Sequence, residues 1–346
     1  MQHKKLALTA ISAAALLFAA SAPGASAADA ALIAAAKKEG TVTWYTTLIL
    51  NQLGRPLVNA FQKKYGIKVS IIRMNTSDMI LRVANEHKAG KMQADVLDGT
   101  STIEPLKNQG IMASYMPASA ARLPAQYKDK DKNWVAVNMY VHTPGYNTEL
   151  VPKDKVPKKW ADLLDPFWKG KLVWSSLESS SSRPGFIGLV LTEMGEKKGM
   201  EFLTKLKAQN IANVKFSARK VLDRVAAGEY ALALQTFNHH SVISAKKGAP
   251  TKWVPMDLSM VVLSVAGVTK NAPHPNAARL LLDFMASEEG QKLFQKGDYL
   301  PVDPKTPAKE PTLKPENGNF KAVVYNPREI NEKLKDWKKV ANDMFR

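Results

Sequence analysis

The chain has 346 residues, no cysteine and a formal net charge of +18. The missing thiols exclude thiol catalysis, disulfide staples and cysteine-ligated metals, so stability must come from buried cores, and the length allows two of them. The basic excess favours anionic ligands or acidic partners, but no interleaved basic and aromatic motif marks a nucleic-acid binder.

Residues 1–27 read as a secretory signal. Lys4 and Lys5 open it, Leu6–Ala20 is its apolar middle, and Ala25-Ser26-Ala27 is the small-residue cleavage pattern. Cleavage there would leave a mature chain of net charge +16. The apolar stretch is too short and alanine-rich for a good membrane span, so the expected address is the periplasm.

After the signal, Asp29–Glu39 has a helical pattern closed by Gly40, and Thr41–Tyr45 is a β-branched and aromatic strand ending at Thr46 and Thr47. A helix over Asn51–Tyr65, a strand over Ile67–Met74, a helix over Asp78–Ala89, a short strand at Ala94–Leu97 and a helix at Thr102–Asn108 follow. This alternation implies a parallel sheet covered by helices. Ligands of such sheets bind beyond the carboxyl ends of the strands. Three hydroxyl-rich loops therefore face one place: Thr46-Thr47, Asn75-Thr76-Ser77 and Asp98-Gly99-Thr100. Each could equally serve only as a helix cap.

A strand over Ala136–Thr143 leads to Pro144-Gly145, and a second α/β half begins at Lys171–Trp174. Between that strand and the helix Phe186–Met194 lies the run Ser175-Ser176-Leu177-Glu178-Ser179-Ser180-Ser181-Ser182-Arg183-Pro184-Gly185. Proline suits the first turn of a helix, and serines before it are good caps. Hydroxyls, free N–H groups and Arg183 thus gather at a helix N-terminus, which is either an anion seat or an ordinary capped helix in a serine-rich loop. Helices at Lys197–Ala208 and Arg219–Ala227 and strands at Asn213–Phe216 and Tyr230–Gln235 complete this half. Asp257–Gly267 is an apolar strand long enough to cross back to the first half. Helical stretches at Ala277–Met285 and Gly290–Phe294, a loop at Lys314–Gly318 and an amphipathic helix over Ile330–Phe345 end the chain.

Tyr146-Asn147-Thr148-Glu149-Leu150, Trp160-Ala161-Asp162-Leu163-Leu164-Asp165-Pro166, Trp168-Lys169-Gly170-Lys171, Val225-Ala226-Ala227-Gly228-Glu229-Tyr230, Lys246-Lys247-Gly248-Ala249-Pro250 and Ala272-Pro273-His274-Pro275-Asn276-Ala277-Ala278 continuing to Tyr299-Leu300-Pro301-Val302 occur in order. Together they resemble the ferric-iron-binding branch of the type II periplasmic solute-binding proteins. The resemblance implies a two-lobed α/β receptor with its ligand cleft between lobes joined by crossover strands. It would capture a small-molecule solute by closure and deliver it to the permease of an ABC importer, as a monomer. The expected lobes are residues 28–136 with 258–310, and residues 143–252. Residues 311–346 are expected to pack on the second lobe.

In this branch the iron binders carry two adjacent tyrosines after a strand equivalent to Tyr230–Gln235. Here those positions hold Phe237 and Asn238. Phe offers no ligand and the Asn amide is neutral, whereas a hard trivalent cation favours anionic oxygen. The same family includes receptors for phosphonates, sugar phosphates and other small anions. The expected solute is therefore a small organic anion, a carboxylate, phosphate ester or phosphonate, with ferric iron or a ferric chelate as the alternative. The resemblance places Ser179, Ser180, Ser181 and Ser182 at a ligand-contacting loop, with Arg219 beyond another small polar loop. Thr46, Thr47, Asp98, Gln235, Asn238 and His239 are expected to hold the rest of the solute, and Trp44, Tyr45, Tyr140 and Phe237 to divide between core and cleft wall. The pair His239-His240 is a poor chelate, because adjacent residues diverge on a helix or strand. With no H-E-x-x-H helix and no G-x-S-x-G turn, neither a metal, a cofactor nor catalysis is expected.

Overall fold

The computed structural model describes residues 30–177 and 182–345. The expected signal at residues 1–27 and the serines 179–181 lie outside the described residues. Among the described residues, no helix is long and apolar enough to cross a membrane.

The first half begins with helix α1 (Ala30–Glu39), strand β1 (Thr41–Thr46), helix α2 (Arg55–Tyr65) and strand β2 (Lys68–Arg73). A π-helical turn at Leu50–Gly54 precedes α2, where the sequence pattern alone suggested one continuous helix from Asn51. Gly66 ends α2 in the left-handed conformation expected of a C-terminal glycine. Helix α3 (Thr76–Lys88), strand β3 (Val96–Gly99) and helix α4 (Ile103–Lys107) follow. Strands β1, β2 and β3 are parallel neighbours.

Strand β4 (Val135–Asn147) is the long crossover into the second half. It continues through Pro144 and Gly145, beyond the expected end at Thr143, by shifting register there. A Cβ on Gly145 would stand 2.8 Å from Thr236 Oγ1 and 2.9 Å from Leu222 Cδ1, so a larger residue here would push those side chains aside. Strand β5 (Leu172–Ser175), helices α5 (Ser182–Met194) and α6 (Glu196–Lys207), strand β6 (Ala212–Val214), helix α7 (Ala218–Ala226), strand β7 (Leu232–Phe237), helix α8 (Asn238–Ala245) and the short strand β8 (Thr251–Trp253) build that half. Strand β9 (Ser259–Val268) returns, followed by helices α9 (Pro275–Ala286) and α10 (Glu288–Lys296), strand β10 (Leu300–Pro301), helix α11 (Pro315–Gly318), strand β11 (Ala322–Tyr325) and helix α12 (Pro327–Met344).

The main path of the sheet runs β2-β1-β3-β9-β4-β7-β5-β6. The two antiparallel crossovers β4 and β9 sit in its middle and are buried along their whole length; β9 reads as a mostly apolar run, whereas β4 buries polar residues such as Asn138 and His142 among apolar ones. Two large cores flank them. One gathers Trp44, Phe61, Leu263 and Phe284, and the other Trp160, Trp168, Trp174, Phe186 and Phe345.

Helix α12 packs along α5 through Trp337, which lies over Gly188. Its first turn reaches the first half, where Arg328 pairs at 3.2 Å with Asp129, a buried carboxylate that Lys107 also holds at 2.7 Å.

Candidate functional site

The carboxyl ends of the parallel strands in both halves open onto one cleft of about 610 Å³. Its walls come from the first half at Thr47, Ile49, Arg73, Asn75, Thr76, Asp78 and Thr100, and from the second at Leu177, Ser182, Ser217, Arg219 and His240. Tyr140 of β4, Phe237 at the end of β7 and Tyr299 close it.

Hydroxyl-rich turns bring three helix starts to this cleft. Asn75 caps α3 by accepting from Asp78 N at 2.9 Å, Ser217 caps α7 through its hydroxyl, and Ser182 opens α5. These are the small polar residues that favour helix N-termini, and their helices direct partial positive charge at the cavity. Arg219 stands in the first turn of α7. Its guanidinium is fixed by Ser244 Oγ at 2.8 Å and by Asp223 at 3.1 Å, leaving about a third of the side chain exposed.

The aromatic wall is ordered by stacking. Tyr140 lies 4.5 Å from Phe237 at an interplanar angle of 25°, and Tyr299 meets Tyr140 edge-on at 6.1 Å. Burial pushes the Tyr140 phenol well above its usual ionisation range and that of Tyr299 up to about 12. Both phenols therefore stay protonated at neutral pH. Three imidazoles surround Phe237: His142 at 4.7 Å, His240 at 5.2 Å and His239 at 5.9 Å. Burial is also the main reason these imidazoles resist protonation, with His142 and His239 brought down to about 3. His240 is lowered too, with His239, Arg219 and His142 adding repulsion.

Of the residues read from the sequence, Thr47, Ser182 and Arg219 border the cleft, as do Tyr140 and Phe237. Others lie behind its wall. Asp98 is completely buried and accepts from Trp44 Nε1 at 2.8 Å, Thr47 N at 3.0 Å and Thr47 Oγ1 at 2.8 Å. Burial raises its carboxyl above the ordinary range despite those donors. It holds the Thr47 loop, and its lone pairs are spent on the protein. Thr46 is buried beside it and accepts from Leu48 N. Asn238 is likewise turned inward, donating to Leu313 O at 2.7 Å and accepting from His239 N. Gln235 and His239 are buried with no hydrogen-bond partner for their side chains among the described residues, and neither borders the cleft. Trp44 and Tyr45 belong to the core: the indole serves Asp98, and the phenol donates to Glu86 at 2.7 Å. Arg183, expected beside the serine run, instead donates to Asn213 and to the carbonyl of Phe345, which ties α5 to the C-terminal helix.

Sequence reasoning missed Arg73, Tyr299 and the cleft position of His240. Arg73 was swallowed by a strand read one residue too long, to Met74. As the last residue of β2 it sits where the sheet rule puts ligand contacts. Tyr299 arrives from a distant part of the chain, so local pattern carries no sign of it.

Residues 92–326 match the family of bacterial extracellular solute-binding proteins. An uncharacterised protein of Haemophilus influenzae is 26% identical over 87% of this chain and 88% of its own length. An Fe(3+)-binding periplasmic protein of Serratia marcescens is 22% identical, covering 69% of this chain and 71% of that protein. Among solved structures, the periplasmic binding protein AfuA of Actinobacillus pleuropneumoniae, with fructose-6-phosphate bound, superposes with a TM-score of 0.74 at 22% identity, covering 88% of this chain and 98% of the other. The two-lobed α/β sheet with its cleft at the crossover strands is a fold shared with that protein. The chain belongs to the bacterial extracellular solute-binding family, in the type II branch that includes the ferric-ion-binding proteins, and it is the solute-binding component of an ABC importer.

Proposed function

We propose that this receptor captures a small organic anion in the periplasm, by closure of its two lobes, and presents it to the importer's permease in the inner membrane. The observation that carries this reading is Arg219 with the starts of α5 and α7 on one cleft of about 610 Å³. A guanidinium and helix N-termini are matched to an acid group, and charge-assisted hydrogen bonds of this kind are the strong ones. The cavity falls in the range of organic-ligand pockets, and the Tyr140, Phe237 and Tyr299 wall offers apolar surface to the ligand's body. The AfuA complex with fructose-6-phosphate supports this class by analogy of fold.

The second reading is ferric iron, alone or chelated, which the name of the Serratia relative favours. The donor set fits it less well. Phe237 and Asn238 stand where that branch has tyrosines, and neither offers an anionic oxygen.

The solute is held by contacts from both lobes, so it stabilises the closed state over the open one. The lobes are residues 28–136 with 258–310, and residues 143–252; the signal at 1–27 is removed on export, and the receptor acts as a monomer without turning its solute over. Ser179, Ser180 and Ser181 contribute hydroxyls to the solute, so replacing Ser180 and Ser181 by alanine weakens binding.

Native mass spectrometry of protein purified from the periplasm without refolding tests the reading. An adduct with the mass of a small organic acid is the expected result. An iron adduct, with or without citrate, is the result that overturns it.

A further inference from the structure

Arg73 is the last residue of β2, the edge strand at the first-half end of the sheet. It borders the cleft, its side chain is exposed, and it makes no hydrogen bond or ion pair among the described residues. Its charge is felt by two groups on the cleft's aromatic wall, Tyr140 and Tyr299, whose phenol ionisation it favours against the larger effect of burial. The guanidinium therefore faces the cavity with its five N–H donors unspent.

Arg219, its counterpart from the second half, is different. Asp223 offsets its charge and Ser244 fixes its plane. One arginine is preorganised on one lobe, and the other, on the opposite lobe, has no partner among the described residues. An anion seated on Arg219 and the helix starts can take its second cation from Arg73, on the first-half side of the same cleft. A contact made in the closed state alone is what drives closure, because a ligand shifts a two-state equilibrium only by its differential affinity.

Building on the anion reading, we infer that Arg73 is the closing contact of this receptor: it binds the anionic solute across the cleft and thereby couples recognition of charge to lobe closure. Arg219 provides the first seat, and Arg73 converts occupancy into the closed form. Recognition of charge and closure of the lobes then depend on the same acid group of the solute, read by one arginine from each lobe.

The test uses inorganic phosphate, glycerol 3-phosphate and citrate as probes, with affinity read by calorimetry and closure by small-angle X-ray scattering. The proteins are wild type, Arg73→Gln and Arg73→Lys. Because Arg73 has no hydrogen-bond or ion-pair partner among the described residues, both variants should melt at the wild-type temperature. Wild type should bind at least one probe and contract. Arg73→Gln should bind that probe roughly ten- to a hundredfold more weakly and remain extended when saturated, as loss of a charged hydrogen-bond donor implies. Arg73→Lys should restore part of the affinity and the contraction. A glutamine variant that contracts as wild type does, or a wild type that binds without contracting, overturns the inference and leaves the anion reading standing. A wild type that binds none of the three probes removes both.

Discussion

The indole N–H of Trp44 donates to the carboxylate of Asp98 at 2.8 Å, and the same carboxylate takes both the amide and the hydroxyl of Thr47. A strand from one side of the sheet thus fixes the loop that leads into the cleft. Replacing Asp98 by alanine would leave the buried indole N–H of Trp44 and the partly buried amide and hydroxyl of Thr47 without this acceptor. Each such loss costs about 1–3 kcal/mol, so the variant should unfold several degrees below wild type. It should also weaken binding, because Thr47 loses its tether. Calorimetric melting checks the first effect, and an unchanged Tm would contradict the role assigned to Asp98.

Gly188 makes a comparable prediction at the back of the second lobe. A Cβ at this position of α5 would clash with the indole ring of Trp337 on α12. Overpacking of this sort costs about 1–3 kcal/mol, and the neighbour that must give way is a terminal helix. Gly188→Ala should therefore make the C-terminal helix accessible to protease at concentrations that leave wild type intact. Equal resistance would show that Trp337 has room to move.

What could be read from the sequence follows where periodicity is informative. The βαβ order and the terminal helix were visible in periodicity, the crossover β4 in an alternating stretch, and the returning crossover in the run Ser259–Val268, because a strand buried on both faces is mostly apolar. The cleft was only half legible. Thr47 and Arg219 could be placed because a strand end or a helix start announces them. Asp98 and Asn238 look identical to ligands in sequence, since a polar residue after a strand can turn either outward to a solute or inward to a backbone donor. Arg183 was misplaced for a similar reason: its partners Asn213 and Phe345 come from β6 and the chain's end, far from the serine run.

Acid should destabilise the receptor through the imidazoles around Phe237. In the folded chain His142 and His239 titrate at about 3, and His240 is also lowered, against about 6.5 when unfolded. Between those limits the unfolded chain binds more protons. Stability is therefore full above pH 6.5 and falls as the pH drops towards 3. Each imidazole contributes up to about 1.4 kcal/mol per pH unit within that window. Denaturant titrations at pH 7, 5.5 and 4.5 should show this decline, and His142→Gln should flatten it. A stability that rises on acidification would contradict the sign.

The most direct test of the anion assignment is calorimetry of wild type and Arg219→Gln with inorganic phosphate, glycerol 3-phosphate, citrate and ferric citrate, accompanied by a visible absorption scan. Wild type should bind a metal-free anion and gain about 2.7 kcal/mol of stability at a hundredfold excess over Kd. Arg219→Gln should lose roughly ten- to a hundredfold in affinity, and the absorption spectrum should stay free of a tyrosinate-to-iron band. Binding that requires ferric iron, carries that band and is indifferent to every metal-free anion would contradict the account.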